Sequence, residues 1–351
     1  MKIKAFPRKG KLMVKILLGG SPCTYWSVAR KSGREKQPSG MGWELFLNYK
    51  IAMEKFKPDF FLYENNESAA EPIKAQIAAE LGVPLFHGDS SLVSAQMRRR
   101  IYAFNWQCEQ PEDRGITLKD IIRTRGYWKD LHSDRYPVGM GYRNRREADG
   151  KLYRRFETSG AEKANALTTV ETDSMIIEPY IHQNASLFKQ KEFVMVQNGT
   201  YLHKGRIYNI ALPNGDYIFR HFTQMEAERL QTLPDGYTAA ASRTAARKAL
   251  GNGWTADLII HILKAGLAGV DRMEEIVVLS MYDGIGTGRY CLDKLGFVDV
   301  TYYAYEIEPT AIKIALDNYP DIIELGDAFQ IRDPAWPTAP LASQPLLRPA
   351  T

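Results

Sequence analysis

Two short apolar runs in the sequence end in side chains that could act together as a nucleophile and an acid. Cys23 lies on a glycine- and proline-containing loop after the run at residues 16–18, and Glu64 directly follows the run at residues 60–63. Both runs are typical of buried strands, and open α/β sheets carry their chemistry at the carboxyl ends of such strands. We therefore expect the thiol and the carboxylate at one edge of a sheet, with Cys23 as a nucleophile. The alternative is a buried structural cysteine.

Three successive arginines precede a third apolar run, and the pattern predicts a single strand through both. Side chains alternate along a strand, so Arg98 and Arg100 are expected on one face. Paired guanidinium groups suit a phosphate or a carbonyl oxygen as ligand. The alternative is a solvated basic cluster at the surface.

A glycine-rich loop between a predicted strand and a predicted helix lies near the other end of the chain. The apolar residues 275–282 lead into the sequence Asp-Gly-Ile-Gly-Thr-Gly at residues 283–288, and helical periodicity follows at residues 289–295. Such a loop lets bare backbone approach a nucleotide-type cofactor, and the amino end of the helix attracts anions. Glu306 ends the next predicted strand, 20 residues beyond Gly286, a spacing at which an acidic side chain binds ribose hydroxyls.

The elements that must position these residues fall into stretches of different periodicity. Residues 12–106 alternate apolar runs with helical spacing, whereas residues 107–220 show short β-like runs separated by turns such as Asn198-Gly199. Helical spacing resumes over residues 221–333, where Thr223 and Glu226 form the pattern of a capping box and a further helix is predicted over residues 242–250. The chain is therefore predicted to be an α/β protein with a separate β module.

The position of the glycine-rich loop constrains the fold further. It leaves fewer than 70 residues after it, too few for a doubly wound sheet of their own. We therefore predict that residues 12–106 and 221–333 together form one doubly wound, Rossmann-like α/β sheet, into which residues 107–220 are inserted as a smaller, mainly β lobe. The chain would then start and end at adjacent points of the sheet, which is what a circular permutation requires. Residues 334–351, which contain five prolines, are predicted to be a disordered tail.

Composition limits the class of protein and its partners. Cys23, Cys108 and Cys291 are too few and too scattered for a disulfide framework or a zinc site, and we predict no metal. The formal net charge is +5, and residues 98–163 hold 16 Lys and Arg against 10 Asp and Glu, interleaved with aromatic residues. That mixture is typical of a surface that follows nucleic-acid phosphates, and a solvated face would show the same charges. No apolar run approaches the ~20 residues of a membrane span and no signal peptide is evident, so a cytoplasmic protein is predicted.

Taken in chain order, the motifs resemble those of DNA (cytosine-5) methyltransferases in a circularly permuted arrangement. The sequence Gly-Ser-Pro-Cys at residues 20–23 is similar to the family's catalytic Pro-Cys motif, and Glu64-Asn65 to its Glu-Asn-Val motif. The remaining matches are a Gln-x-Arg-x-Arg motif at residues 96–100, the helix that carries the recognition lobe at residues 222–235, a Gly-Asn cofactor motif at residues 251–253, and the cofactor loop at residues 283–288 with Glu306 and Asp327.

The resemblance implies an S-adenosylmethionine-dependent methyltransferase fold and transfer of a methyl group to carbon 5 of a cytosine in double-stranded DNA. Cys23 would attack carbon 6, and Glu64 would bind ring nitrogen 3 and supply a proton. Arg98 and Arg100 would position the cytosine after it has flipped out of the duplex. The basic loop at residues 24–42 would close behind that base.

The resemblance also implies binding residues and partners. S-adenosylmethionine would contact Pro22, Asn252, Tyr282, Asp283, Gly284, Gly286, Gly288, Glu306, Ile307 and Asp327. The DNA substrate would contact Ser21, Ser27, Asn65 and Gln96. A cognate restriction endonuclease system is a further candidate partner, and activity of a single chain implies a monomer on DNA.

Two features depart from the family pattern. Asn66 stands where the family has valine, and the chain is open between Asp327 and Lys15, so the two halves of the site must meet without that covalent link. Three alternatives use part of the same evidence: a methyltransferase acting on cytosine in RNA, a DNA-binding relative without catalytic activity, and an NAD-binding dehydrogenase. The last has no use for the pair Cys23 and Glu64.

Overall fold

The computed structural model describes residues 13–28, 30, 32–122, 136–146, 150, 152–158, 162–180, 191–203 and 205–336. The chain divides into two compact units. The first draws on Met1–Gly88, Arg100–Glu109 and Ile260–Thr351, and the second on Asp89–Arg99 and Gln110–Ile259. The predicted boundaries at residues 107 and 221 do not coincide with these units, since residues 89–99 and 221–259 group with the β lobe.

The first unit is built on a sheet that is mostly parallel. Its strands are β1 (Met13–Gly19), β2 (Phe60–Asn66), β3 (Phe86–Asp89), β5 (Arg99–Phe104), β14 (Glu275–Met281), β15 (Val300–Tyr305) and β16 (Ile323–Glu324), in the order β16-β15-β14-β1-β2-β5-β3. β1 pairs in parallel with both β14 and β2, and β5 runs antiparallel to β2. The predicted union of the early and late β/α stretches in one sheet is confirmed, because Leu17 lies opposite Leu279.

Burial of apolar strand residues against helices stabilises this sheet. Leu17 and Leu279 are fully buried, as expected for central strands covered on both faces. Helix α1 (Met41–Phe56) contributes Phe46 and Tyr49 to the same core and ends just before Pro58. The other helices of this part of the chain are α2 (Glu71–Leu81), α6 (Ala256–Gly266, which crosses the boundary between the units), α7 (Thr287–Lys294) and α8 (Pro309–Asn318).

The second unit is built on a seven-stranded antiparallel sheet, the predicted β module. Its strands are β6 (Val138–Arg146), β7 (Leu152–Thr158), β9 (Met175–Pro179), β10 (Lys191–Gln197), β11 (Thr200–His203), β12 (Arg206–Asn209) and β13 (Gly215–His221), in the order β12-β11-β10-β13-β9-β6-β7. A separate parallel pair is formed by β4 (Gln96–Met97) and β8 (Ala164–Asn165), and the described residues include the helices α3 (Leu118–Ile121), α4 (Gln224–Leu230) and α5 (Arg243–Asn252). Asn198 and Gly199, at φ 51° and 69°, form the predicted turn between β10 and β11.

A buried ion triad joins two strands of this sheet to helix α4. The helix opens with the predicted capping box, in which Glu226 accepts a hydrogen bond from the backbone nitrogen of Thr223 at 2.8 Å. Arg220 of β13 lies 2.8 Å from Glu226 and 2.8 Å from Glu178 of β9, and all three side chains of the triad are fully buried. Burial alone would lower the pKa of Arg220, but the two carboxylates raise it above its usual range. The guanidinium therefore stays charged inside the unit.

The structure corrects three local predictions. Helix α5 continues two residues past its predicted end, and helix α7 begins two residues earlier than predicted, so Gly288 lies in its first turn rather than in the loop. Within the predicted tail at residues 334–351, Trp336 is only 8% exposed and its Nε1 donates to the hydroxyl of Tyr305 at 2.8 Å. Residues 337–351 lie outside the described residues. No described helix is long and apolar enough to cross a membrane.

Candidate active site

The catalytic candidates of the first unit lie where β1 and β2 end side by side. Gly19 of β1 is the register partner of Tyr63 in β2, so the loop of Cys23 and the residue Glu64 lie at the same edge of the sheet, as predicted. The two segments meet at Gly20: a Cβ atom built there would lie 2.5 Å from the carbonyl oxygen of Glu64 and 3.0 Å from its Oε2. Only glycine permits that approach. Cys23 opens a short 3-10 turn and is partly exposed.

A buried set of hydrogen bonds holds the loop that precedes Cys23. The Asn65 amide nitrogen donates to the carbonyl oxygen of Ser21 at 2.9 Å and to the hydroxyl of Tyr63 at 2.9 Å. The hydroxyl oxygens of Ser21 and Tyr63 lie 2.8 Å apart. Burial raises the pKa of the Tyr63 phenol well above its usual value, so the hydroxyl keeps its proton. The sequence predicted that Ser21 and Asn65 contact DNA. In the structure both side chains are buried, and the hydrogen bond between the two residues holds the loop.

Arg100 is the arginine that contacts Glu64. The two residues lie on the antiparallel strands β5 and β2, two positions out of register, and Nε of Arg100 is 3.0 Å from Oε1 of Glu64. Their side chains are 14% and 13% exposed, so the ion pair is mostly withdrawn from water. A guanidinium group beside a carboxylate fixes the orientation of that carboxylate and leaves further N–H donors next to it.

Arg98 belongs to the second unit, where it binds backbone carbonyl groups. Strand β5 begins one residue after it, so the predicted single strand through Arg98 and Arg100 is wrong. The Nη1 atom of Arg98 lies 2.7 Å from the carbonyl oxygen of Leu167, and Nη2 lies 3.0 Å and 2.8 Å from those of Gly251 and Gly253. The residue is only 3% exposed. Its guanidinium therefore joins two segments of the chain within this unit.

Two other predicted residues also lie in the second unit. Gln96 is buried, its amide nitrogen donates to the side-chain oxygen of Gln231 at 2.9 Å, and its oxygen accepts from the backbone nitrogen of Leu167 at 3.1 Å. Asn252, a predicted cofactor contact, is the last residue of helix α5 and is exposed. The pairing of the Gln96 amide with buried groups indicates a structural role within the unit.

The loop that follows Cys23 is attached to the core at Trp26. This side chain is fully buried, and its Nε1 donates to Glu35 at 3.1 Å. Glu35 also accepts from the backbone nitrogen of Gly42, near the start of helix α1, at 3.1 Å. The backbone nitrogen of Ser27 donates to the carbonyl oxygen of Cys23 at 2.9 Å. The closure of this loop over a substrate stays a prediction.

The glycine-rich loop is held by the acid at the end of the next strand. Glu306 accepts hydrogen bonds from the backbone nitrogen of Gly284 at 2.8 Å and from its own two successors in the chain at 2.7 Å and 2.8 Å. Gly284 and Gly286 have φ 69° and 75°, a left-handed conformation that favours glycine. Gly288 has no room for a side chain, since a Cβ atom there would lie 2.4 Å from the hydroxyl of Tyr302.

Two further carboxylates near this loop have oxygen atoms without a hydrogen bond. Asp283 accepts from two hydroxyl groups through Oδ1, both at 2.6 Å, but its buried Oδ2 has no partner among the described residues. The same holds for both carboxylate oxygens of Glu324 on β16. Burial, followed by the charges of Asp283 and Glu306, raises the pKa of Glu324 to about 8. Sequence reasoning missed Glu324, although an acidic residue within the apolar run at residues 322–325 is a usable signal.

The other predicted cofactor residues of the first unit lie on its loops. Tyr282 adopts φ 59°, and its hydroxyl donates to the carbonyl oxygen of Leu45 at 2.9 Å. Ile307 and Asp327 are exposed, and Asp327 caps a short 3-10 helix. Pro22 is exposed and directly precedes Cys23. The exposed members are accessible to a ligand.

The sequence was compared with models of protein families and with curated proteins. The family model described as C-5 cytosine-specific DNA methylase matches residues 2–267, more than half of the chain. The chain belongs to this DNA methylase family. Members of the C-5 cytosine-specific DNA methylase family methylate carbon 5 of cytosine in DNA and use S-adenosylmethionine. The comparison with curated proteins gave no match.

The first unit of this DNA methylase offers residues that fit S-adenosylmethionine, which carries a positive sulfonium and a positive ammonium group. Asp283 and Glu306 place carboxylates at the glycine-rich loop, with the carboxyl group of Glu324 beside them, and Oδ2 of Asp283 is an acceptor without a donor among the described residues. A Cβ atom built on Gly284 meets nothing within 4 Å, so the loop has open space beside it. The charge and the space both suit the cationic part of the cofactor.

Proposed function

We propose that this DNA methylase is a circularly permuted DNA (cytosine-5) methyltransferase that uses Cys23 as its nucleophile on a specific double-stranded DNA sequence. One observation carries the proposal. Strand β1, which leads to Cys23, lies between β2, which leads to Glu64, and β14, which leads to the glycine-rich loop. The thiol, the acid and the cofactor loop thus follow neighbouring parallel strands at one edge of the sheet, where α/β enzymes bind their ligands.

The order of the strands along the chain supports the permutation. Strand β14 follows β1 and β2 in sequence, yet it is a direct parallel neighbour of β1. The match to the family model ends at residue 267, before the loop at residues 283–288. Both observations are expected if the motif order of the family is circularly permuted, with the break between Asp327 and Lys15.

The proposed chemistry of the chain's own residues begins at Cys23. Its thiolate adds to carbon 6 of the cytosine, which forms a sulfur–carbon bond and raises the electron density at carbon 5. Glu64 donates a proton to ring nitrogen 3 as this bond forms. S-adenosylmethionine, when bound, supplies an electrophilic methyl group for carbon 5. A base then removes the proton from carbon 5, the thiolate of Cys23 leaves, and nitrogen 3 returns its proton to Glu64.

The remaining residues receive binding and positioning roles in this proposal. Arg100 holds Glu64 against the base, which must flip out of the duplex to reach both groups. Arg98 and Gln96 act through the backbone of the second unit, because both are buried and bound to interior groups. S-adenosylmethionine would be held by Pro22, Asn252, Tyr282, Asp283, Gly284, Gly286, Gly288, Glu306, Ile307 and Asp327.

The second unit supplies target recognition in this proposal. Its antiparallel sheet is separate from the parallel sheet that carries Cys23, and much of the basic segment at residues 98–163 belongs to it. Lys and Arg side chains neutralise DNA phosphates and so increase affinity. We propose further that the enzyme acts inside the cell as a monomer on DNA, with a cognate restriction endonuclease system as a candidate partner.

Base-resolution cytosine methylation mapping tests the reaction and its target together. A plasmid from methylation-deficient cells that express the chain should carry 5-methylcytosine at one short motif. The same plasmid from cells that express Cys23→Ala should carry none. Methylation that persists in the variant would remove Cys23 from the mechanism, and methylation of a transfer RNA but not of DNA by the purified protein would favour the RNA alternative.

Calorimetric binding of S-adenosylmethionine tests the permuted cofactor site without relying on turnover. Glu306→Ala should abolish measurable binding, because Glu306 holds the glycine-rich loop through Gly284. A matched control is Glu308→Ala, which changes a neighbouring acid. Unchanged affinity in Glu306→Ala would place the cofactor elsewhere and would contradict the permuted arrangement.

A further inference from the structure

A buried cluster of three polar side chains lies directly before the catalytic cysteine in the first unit. It consists of Ser21, Tyr63 and Asn65, each of them at most 3% exposed. Asn65 Nδ2 lies 2.9 Å from the Ser21 carbonyl oxygen, 3.1 Å from its hydroxyl oxygen and 2.9 Å from the Tyr63 hydroxyl oxygen. The two hydroxyl oxygens are 2.8 Å apart. The cluster therefore closes on itself.

The orientation of the Asn65 amide follows from its other side. The backbone nitrogen of Asn66 donates to Oδ1 of Asn65 at 2.8 Å, so the amide nitrogen must face Ser21 and Tyr63. That nitrogen has two protons for three acceptor atoms. The hydroxyl-to-hydroxyl bond between Ser21 and Tyr63 is therefore needed to satisfy the cluster, since a buried polar group without a partner is costly.

The ring of Tyr63 is fixed by the core. Its centroid lies 5.4 Å from that of Phe46 and 5.0 Å from that of Tyr49, both in edge-to-face geometry. Its backbone is part of β2, where it pairs with Gly19 of β1. The strand β2 and the two rings of helix α1 thus fix the position of the Tyr63 hydroxyl, which bonds to Ser21.

The position of Ser21 in turn restricts the position of Cys23. Only Pro22 separates Ser21 from Cys23, and its φ of −49° is restricted by the pyrrolidine ring. The loop cannot rotate freely between the two residues. A shift of Ser21 therefore moves the backbone of Cys23, and displacement of a reacting group by about 1 Å can slow a reaction 10²-fold.

We propose that the Tyr63 hydroxyl, through its bond to Ser21, is a positioning group for the Cys23 thiol. The inference rests on the proposed role of Cys23 as the nucleophile. Tyr63 touches neither substrate nor cofactor in this role. Its hydroxyl fixes the position and orientation of the loop that carries the thiol.

The rate of covalent trapping on DNA that contains 5-fluorocytosine in the target motif measures this positioning. Tyr63→Phe and Ser21→Ala should each slow single-turnover adduct formation roughly 10- to 100-fold, with unchanged dissociation constants for DNA and S-adenosylmethionine. The double variant should be no slower than the slower single variant, because the two substitutions remove one shared bond. Tyr49→Phe is the matched control: this tyrosine is equally buried beside Tyr63, and among the described residues its hydroxyl reaches the Leu17 carbonyl oxygen, at 3.5 Å.

Two results would overturn the proposal. The first is a Tyr63→Phe enzyme that traps DNA at the rate of the unmodified enzyme or of Tyr49→Phe, and the second is that the effects of Tyr63→Phe and Ser21→Ala multiply in the double variant. Thermal unfolding of every variant separates a loss of folded protein from a loss of rate. An unmodified enzyme that forms no adduct at all would contradict the role of Cys23 itself, which is a different outcome from a selective effect of Tyr63.

Discussion

The Nε atom of Arg100 lies 3.0 Å from Oε1 of Glu64, across two antiparallel strands of the first unit. The pair is offset by two residues along the strands, so the long arginine side chain reaches diagonally to the shorter carboxylate. This relationship assigns Arg100 to the carboxyl group that is proposed to contact the cytosine ring.

Replacement of Arg100 by leucine should lower kcat for DNA methylation by about 10²- to 10⁴-fold, the range typical of a lost acid–base contribution. Without the guanidinium, Glu64 loses its orientation and its charged partner. Arg99→Leu is the control, because Arg99 is 79% exposed. Steady-state rates on the mapped target motif provide the measurement, and equal rates for the two variants would contradict the assignment.

Replacement of Arg98 by alanine should mainly destabilise the protein. Three backbone carbonyl oxygens lose a charged donor, and we expect a loss of about 2–4 kcal/mol in the free energy of unfolding. Urea unfolding monitored by circular dichroism measures the loss. A fully stable Arg98→Ala protein with greatly reduced kcat would instead support the direct catalytic role that the sequence suggested.

Replacement of Glu178 by glutamine should destabilise the second unit by about 3–5 kcal/mol, because it leaves the buried charge of Arg220 with one carboxylate instead of two. The matched control is Asp235→Asn, which removes the partner of Arg229 at the surface, where the aspartate side chain is 44% exposed. We expect that change to cost about 0–1 kcal/mol. Similar denaturation midpoints for the two variants would argue against the energetic importance of the triad.

The stability of the cofactor-free protein should fall as the pH rises towards about 8, because of Glu324. Its pKa is raised to about 8 by burial and by Asp283 and Glu306, so the folded state keeps a proton that the unfolded chain releases near its ordinary pKa. The contribution is fully present at pH values below that ordinary pKa and is lost as the pH rises through the folded value. Glu324→Gln should flatten this dependence, which thermal unfolding at a series of pH values will detect. An identical pH dependence in both proteins would show that another group titrates.

Replacement of Gly288 by alanine should cost about 1–3 kcal/mol of stability, because the new methyl group would lie 2.4 Å from the hydroxyl of Tyr302. Tyr302→Phe removes that oxygen atom, so part of the lost stability should be recovered. Gly288→Ala should therefore cost less stability in the Tyr302→Phe protein than in the unmodified protein. A double-mutant cycle by thermal unfolding measures the recovery. Additive effects would mean that the clash lies elsewhere, for example at Leu18.

Local patterns in the sequence predicted most elements of the fold. Apolar runs located β1, β2 and β14, the capping box at Thr223 and Glu226 located helix α4, and the pair Asn198 and Gly199 located a turn. These signals succeed because each depends on neighbours within a few residues. The edge shared by Cys23 and Glu64 also followed, since parallel strands align their carboxyl ends.

Local sequence patterns could not predict contacts between distant segments of the chain. The carbonyl groups that bind Arg98 belong to Leu167, Gly251 and Gly253, and no local pattern links them. The break between β4 and β5 likewise depends on pairing partners and not on alternation. The hydroxyl pair of Ser21 and Tyr63 requires the register of β1 and β2, which hydrophobicity alone does not define.

The pairing of β1 with β14 constrains how the molecule is made. A ribosome completes the Cys23 loop before the β lobe, but the strand opposite Met13 contains Glu275 and emerges only after the whole β lobe has been synthesised. Until then, β1 has an unpaired edge and an apolar surface that invite aggregation. Closure of the sheet by such a distant segment is slow. Until residues 275–281 have been synthesised, the nascent chain therefore holds Cys23 without the neighbouring strand β14, and the site proposed for methylation cannot form.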